Sequence, residues 1–490
     1  MASSPNGVCE RREQIVLTNC RTYLRWIAVT LVLCVLVGPT ILAQAGGASK
    51  ALTLEQAVDF SLKNYPAVRA SLERVGAAQA AIGLAQTNYL PRADVVWQMN
   101  RATDNNITGL LLPQSIIAPI SGPVAVSLSN HSAWGSAAGL LFSWEPVDFG
   151  YRGAKVDAAR AIRDRVTAEA SLTRLDVAVA TVNAYLTMLA AQQTAHAAEA
   201  DVQRRETFDK AVRVLVDNQL RAGADASRAD AELARAKVNL ARARQLQKVS
   251  RAALADILGL PDTSVEVQES SLLGPPPDGS PHTTLLKNNP IAEVQHARVE
   301  EAQAQIHILD RSYYPKLYLQ SSVYGRGSGW DPTGKFEGGT AGLGPDRSNW
   351  AVGLTVTFPA LDIFAIRSRK AVASANERAE AARYDQALQD LTGQWRKAQA
   401  SLEGARSVAE NTPQELDAAR TTENQVRARY QSGLATLVDV ADAQSLLVQA
   451  ETDDALARLA VWQNLAAVAA SEGDLQPFLQ FLHDKTQGGP

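Results

Sequence analysis

The side chains in this sequence with the most chemical promise are acids just past two helix turns. Thr436, Asp439, Asp442 and Ala443 follow Gly433, and Ser227, Asp230 and Ala234 follow Gly223. Asp439 and Asp442 are three residues apart and share a helix face. Two readings of them are open. Acids in the first turn of a helix complement its dipole. In a tube of symmetric copies the same residues become rings of acids at a constriction, and charged rings select ions.

Elsewhere the chemistry thins out. The six histidines, His131, His196, His282, His296, His307 and His483, make no i,i+4 pair and no H-E-x-x-H arrangement. His296 and His307 fall on a predicted helix as solvated residues. There is no G-x-S-x-G elbow and no nucleotide fingerprint. Gly325-Arg326-Gly327-Ser328-Gly329 lacks the strand-loop-helix context and the Lys-Ser/Thr ending of a phosphate loop, so it reads as a surface loop. Asn106-Ile107-Thr108 matches a glycosylation sequon of the kind that arises by chance. No enzyme, metal or cofactor is expected.

The first 45 residues read as a secretory signal. Arg11, Arg12, Arg21 and Arg25 precede the apolar stretch Trp26 to Leu42, and Ala43-Gln44-Ala45 is an A-x-A cleavage site. A retained anchor is the alternative, but Gly38-Pro39 ahead of the small-residue site favours cleavage. Cys9, Cys20 and Cys34 all lie in this segment, so the mature chain would have no disulfide and no thiol nucleophile. Leu33 before Cys34 argues against a lipid anchor. The whole chain has 48 basic and 51 acidic residues. Losing four Arg and two Glu leaves 44 against 49, a balance that predicts no nucleic-acid partner. No later apolar run reaches the ~20 residues of a transmembrane helix. Any membrane role falls to strands.

The rest of the chain is written twice. Ser61-Leu62-Lys63-Asn64-Tyr65-Pro66 recurs as Leu285-Leu286-Lys287-Asn288-Asn289-Pro290 at an offset of 224, which also maps Tyr89-Leu90-Pro91 onto Tyr313-Tyr314-Pro315. Gly139 and Asp148 match Gly353 and Asp362 at 214, and Gly223 matches Gly433 at 210. Solenoid repeats run to roughly 50 residues at most, so this is a duplicated half-protein. The expected segments are a signal over 1–45, a first repeat over 46–274, a second over 275–475 and a tail over 476–490. Pro275-Pro276-Pro277-Asp278-Gly279 is the linker.

Each half predicts one short opening helix, two strands and a long helical hairpin. The opening helices run from Leu54 to Thr87, broken near Pro66, and from Thr284 to Arg311. No proline occurs between Pro146 and Pro261. That stretch is rich in strong helix formers, predicting helices over Arg152 to Gln219 and Ser227 to Leu258. At ~1.5 Å per residue the first is about 100 Å long, the length of a coiled coil or a tube wall. Alanines at its apolar positions suit close helix approach in a curved wall. In the second half the spacing predicts Ile366 to Tyr430 and Leu437 to Ala470, with Asn411-Thr412-Pro413 marking a break or kink.

The strands are Arg92 to Arg101, Trp134 to Trp144, Lys316 to Tyr324 and Trp350 to Phe358. Trp350, Val352, Leu354, Val356 and Phe358 alternate with Ala351, Gly353, Thr355 and Thr357. Alternation alone suits a soluble sandwich as well as a membrane barrel. Four strands cannot close, however, and exposed edges are a liability. Single-chain barrels begin at about eight strands, so a membrane sheet here must be completed by other copies.

The duplicated helix-strand-strand-helix-turn-helix plan resembles the TolC-like outer membrane efflux proteins. So do the Lys-Asn-x-Pro opening, the Tyr-x-Pro before each first strand, and the turn Tyr430-Gln431-Ser432-Gly433-Leu434-Ala435-Thr436-Leu437-Val438-Asp439-Val440. The similarity covers about residues 50–475. It implies a mainly α fold with a small β part: a long helical coiled-coil barrel, plus four transmembrane strands per chain that close a twelve-stranded barrel in a homotrimer. It implies an outer membrane channel for efflux or secretion of small molecules or proteins, with outer membrane lipid around the strands. Its partners would be a periplasmic adaptor, docking at tips marked by Gly223, Gly433, Ser227 and Thr436, and an inner-membrane pump. By position, Asp439 and Asp442 correspond to the acidic entrance rings, and Asp230 and Tyr430 to the network that holds the entrance shut. The sequence departs from the best-known member where Ala435 replaces an arginine of that lock, and in a Gly223 turn read as one residue longer. The alternative is a periplasmic coiled-coil adaptor or scaffold.

Overall fold

The computed structural model describes residues 51–103, 132–260, 265–267, 271–274, 288–329 and 338–487. The expected signal segment with its cysteines, the sequon, His131, His282, the Pro275–Gly279 linker and residues 284–287 of the second opening helix lie outside them.

The first half begins with α1 (Leu54–Asn64), capped by Thr53 in a reciprocal box with Gln56. Pro66 starts a new helix, α2 (Pro66–Thr87), as expected of a proline at N1. Strands β1 (Arg92–Thr103) and β2 (Ser132–Val147) lead into α3 (Tyr151–Asp217) and α4 (Gly223–Leu258). The second half repeats the plan with α5 (Pro290–Arg311), β3 (Lys316–Ser328), β4 (Arg347–Thr357), α6 (Asp362–Gln431) and α7 (Leu437–Glu472). A last helix, α8 (Gln476–Gln487), closes the chain.

The α5 cap explains why the Asn-x-Pro opening matters. Asn289 is fully buried; its side chain caps the Ile291 amide at 2.9 Å and donates to the Ser471 carbonyl at 3.0 Å. One residue thus starts α5 and ties it to the end of α7.

The two long helices, α3 and α6, span the helical part. Near the sheet α5 packs between them, and α2 flanks α3; farther out α7 packs between them, and α4 flanks α3. The main core lies midway, where Tyr185, Leu186 and Leu189 of α3 meet Leu254, Leu258, Trp462, Leu465 and Phe478. The segment expected as a tail is therefore part of the core through α8. Many contacts of α3 are small: Ala154, Ala158, Ala178, Ala191 and Ala195 are all buried. The chain is apolar enough to cross a membrane by length and composition in one stretch of α3, half of which is buried against other helices.

The four strands form one antiparallel sheet in the order β1-β2-β3-β4. Its register separates two faces. Val95, Leu140, Val323 and Trp350 stand in one row across all four strands, and Val95 and Trp350 are 85% and 77% exposed. Trp97, Val352, Leu354, Val356 and Phe358 extend that apolar face and are exposed too. The other face carries Arg92, Asp94, Gln98, Ser143, Gln320, Arg326, Asn349 and Thr355. Among the described residues, β1 and β4 each have one unpaired edge.

Two expectations are corrected. Gly325-Arg326-Gly327-Ser328 belongs to β3, and is not a loop. Glycine-rich composition read as loop because its cause lies outside the strand: the segment before β4 folds against these residues, and a Cβ on Gly327 would overlap the Gly344 carbonyl. Glycine in a strand often marks such a close backbone approach. Second, of the break or kink expected at Pro413, the break is absent: α6 runs through it. Asn411 turns back to the Ser407 carbonyl, so it does not cap a new helix. Thr412 is buried and hydrogen-bonded to Asp454 of α7 at 3.0 Å, so packing holds the helix across the missing amide.

Pro413→Ala restores that amide without disturbing the inward-facing Thr412. It should raise the stability of α6 by about 2 kcal/mol, after allowing for a looser unfolded chain. Thermal unfolding followed by helical circular dichroism tests this, and a lowered midpoint would mean that the proline is needed where it stands.

Candidate functional site at the helical turns

The sequence aligns Gly223 with Gly433; the structure aligns a different residue. The connectors are residues 218–222 and 432–436, equal in length, so the first turn is not one residue longer. Gly433 ends α6 with φ +75°, a backbone region that glycine enters without steric cost. The Leu434 amide then donates to the Arg429 carbonyl at 2.8 Å. In the first turn Gln219 takes that role with φ +60°, and the Leu220 amide donates to the Leu215 carbonyl at 2.9 Å. Gly223 is instead the first residue of α4. The repeat offset of 214 therefore holds through the turn without a gap. A non-glycine residue at positive φ left no mark in the sequence.

The corrected pairing matches Thr436 with Ala222 as N-caps and Asp439 with Asp225 as first-turn acids. Thr436 and Asp439 form a reciprocal capping box. The Thr436 amide and hydroxyl both donate to Asp439 Oδ2 at 2.8 Å, and the Asp439 amide donates to Thr436 Oγ1 at 3.3 Å. Hydrogen bonds from the Thr436 backbone and then its hydroxyl hold the Asp439 carboxyl below its ordinary range. Ala222 caps nothing with its side chain. Ser227, Asp230 and Asp442 are exposed within about two turns of the starts of α4 and α7.

Tyr430 is the centre of a small core at the turns. It is 1% exposed and packs with Val212, Ala229, Leu437, Val440 and the tilted ring of Phe208. Burial, and then the nearby Asp225 charge, push its phenol up. Arg221, in the first connector, reaches across to the second hairpin. Its guanidinium lies 4.6 Å from the Tyr430 ring centre and donates to the Tyr430 carbonyl at 2.9 Å. Sequence reasoning missed Arg221 because its partner is 209 residues away.

Asp230 belongs to a separate network. It pairs with Arg213, which also holds Asp209 at 3.0 Å. Two turns back from Arg213 on α3, buried Arg205 binds Asp201 at 3.0 Å, Glu232 of α4 at 3.1 Å and Ser445 of α7 at 3.1 Å. Arg204 makes a two-point pair with Glu451 of α7 at 2.9 and 3.2 Å. These arginines clamp one hairpin to the other. Beside them is a cleft of about 760 Å³ lined by residues including Arg204, Thr207, Phe208, Asn424, Arg427 and Gln444.

A sheet apolar on one face and polar on the other, feeding two long helical hairpins, defines an outer-membrane channel with a periplasmic helical part. The chain belongs to the outer membrane efflux protein family, which matches residues 57–260 and 283–474. It is 26% identical to protein CyaE of Bordetella pertussis over 431 residues, which cover 86% of this chain and 84% of that one. It is 24% identical over 435 residues to the pyoverdine export outer membrane protein OpmQ of Pseudomonas aeruginosa, covering 86% and 83%. Its fold resembles that of the outer membrane protein VceC from Vibrio cholerae, with a TM-score of 0.66 at 19% identity over 86% of this chain and 97% of that one. The family is one of transport ducts, and membership removes the periplasmic-adaptor alternative.

The capping box makes a pH prediction. A carboxyl held below its ordinary 3.8 stabilises the helix start at every pH above that value, and the contribution is lost as pH falls through the lower folded value. Hydrogen exchange of the Leu437–Val440 amides should therefore be unchanged from pH 7 to 5, apart from the intrinsic rate. Protection should fall only below about pH 4, and Thr436→Ala should abolish the difference. Protection that already declines near pH 6 would contradict the assignment.

Proposed function

We propose that three copies close a twelve-stranded barrel and a helical tunnel, a passive duct through which small molecules or proteins leave the periplasm. The observation that carries this is the four-stranded sheet with two unpaired edges. In a bilayer both edges need partners, and β1 of one copy beside β4 of the next supplies them. Val238, Leu246 and Val249 on α4 and Val372 and Val408 on α6 are exposed in the single chain; these flanking helices would meet their neighbours in the ring. Residues 1–45 would be removed on export, leaving the two repeats over 46–274 and 275–475 and the C-terminal segment 476–490.

In this reading energy comes from an inner-membrane pump, and a periplasmic adaptor docks at the turns around Gly223, Gly433, Ser227 and Thr436. The cleft beside Arg204 and Arg427 lies next to them. Asp439 and Asp442 line the entrance as acidic rings. The lock lacks an arginine at position 435, and Arg221 supplies one from the opposite hairpin, gripping Tyr430 from the first turn instead of the second. Asp230 holds its own hairpin together through Arg213.

Single-channel recording in planar bilayers tests the arrangement. Arg221→Ala should raise conductance by loosening the contact between turns, while Asp439→Asn with Asp442→Asn should weaken cation selectivity. Unchanged conductance in the first variant would remove Arg221 from the lock, and unchanged selectivity in the second would remove the acids from the pore lining.

A further inference from the structure

The polar face of the sheet has a charge of its own. Its strand residues include Arg92, Lys316, Arg326 and Arg347 against Asp94 and Glu145, four basic to two acidic. Arg326 and Arg347 face each other at the end of the sheet far from α3, and Arg92, Asp94, Glu145 and Lys316 lie at the lower end, where α3 begins. Lys316, the first residue of β3, faces the polar side opposite Thr357. Its ammonium lies 4.5 Å from the centre of the Tyr151 ring, and Lys155, one turn along α3, lies 4.5 Å from the same ring. The two ammonium groups are therefore at most 9 Å apart, twice that distance.

Neither lysine has an ion pair among the described residues, although their neighbours do. Arg152 binds Asp148, Arg160 binds Asp157 and Lys370 binds Asp310. Glu145, near the end of β2, is an acid at the same end of the sheet. It offsets one of the two charges and leaves a net +1 per chain. Two like charges held on one aromatic ring repel each other, and a bound anion relieves that repulsion while leaving both cation–π contacts in place.

We propose that Lys155 and Lys316, converging on Tyr151 at the base of the barrel, form an oxyanion-binding ring in the duct, with one site per chain, for solutes bearing carboxylate or phosphate groups. The inference rests on the trimeric-duct reading, because only closure turns the polar face into a lumen. The duct then presents acids at the periplasmic turns and a lysine pair at the base of the barrel. An anionic solute that passes the acidic entrance meets an attractive station before it leaves.

The test uses the full-chain protein in planar bilayers, with inorganic pyrophosphate added on the side of the strand loops. Pyrophosphate should reduce the wild-type current at roughly 0.1 M KCl, where charges act over about 10 Å. Lys155→Gln with Lys316→Gln should need at least about tenfold more pyrophosphate for the same reduction and shift the reversal potential toward cations. The Lys155→Arg, Lys316→Arg variant should keep the wild-type response. Equal pyrophosphate sensitivity in the Gln variant and the wild type, with pores of normal conductance at about 1 M salt, would overturn the anion site and leave the duct intact. A wild-type protein that forms no pores would overturn the duct reading and the site with it.

Discussion

The constraint on which the rest of the structure depends is the unpaired backbone at the two edges of the sheet. Inside a bilayer no water is present to satisfy an amide or a carbonyl. An open four-stranded sheet is therefore incompatible with the membrane that its apolar face demands. The row Val95, Leu140, Val323 and Trp350 fixes which face meets lipid, and a one-residue slip of any strand would turn its apolar residues to the other face. Register, edges and face polarity are what the proposed closure by further copies would satisfy together.

The proposed closure would set what the helices must do. A ring of helices below a barrel has a wide, wet interior and cannot rely on one thick core. The chain gathers most of its large buried side chains in a belt around Tyr185, Trp462 and Phe478, with a smaller core around Tyr430 at the turns. Elsewhere it substitutes small contacts and paired charges. The run Asp201, Arg205, Asp209 and Arg213 recurs every four residues on α3 and is largely buried. It fastens α3 to α4 on one side and, through Arg205, to α7 on the other. Breaking one partner of such a buried pair costs more than the pair contributes, because the remaining charge is stranded. The geometry of the hairpins near the turns is therefore held by paired charges together with the small Tyr430 core.

Most of the fold was legible in the sequence because its signals are periodic and local. Alternation identified all four strands, and proline-free runs of helix formers placed the long helices to within a few residues at most ends. The failures have a common cause in long-range contacts. Gly325 and Gly327 looked like loop because what packs on them, Pro345 and the Gly344 carbonyl, is about twenty residues away. Pro413 looked like a break because the helix around it is held by Asp454 on another helix. The turn was misaligned because Gln219 adopts a conformation that glycine usually signals. At the candidate site, the Thr436–Asp439 box was readable from spacing. Arg221 was not, since nothing in its own segment indicates that it stacks on Tyr430.

The most direct test of the account is whether β1 and β4 meet between copies. With the three native cysteines all in the first 45 residues, cysteines introduced at one β1 and one β4 position report on that edge alone once the segment is removed. A panel of such pairs should give, in at least one register, a disulfide ladder on a denaturing gel that ends at the trimer. Protein from the outer membrane that stays monomeric across the whole panel would contradict closure by neighbouring copies.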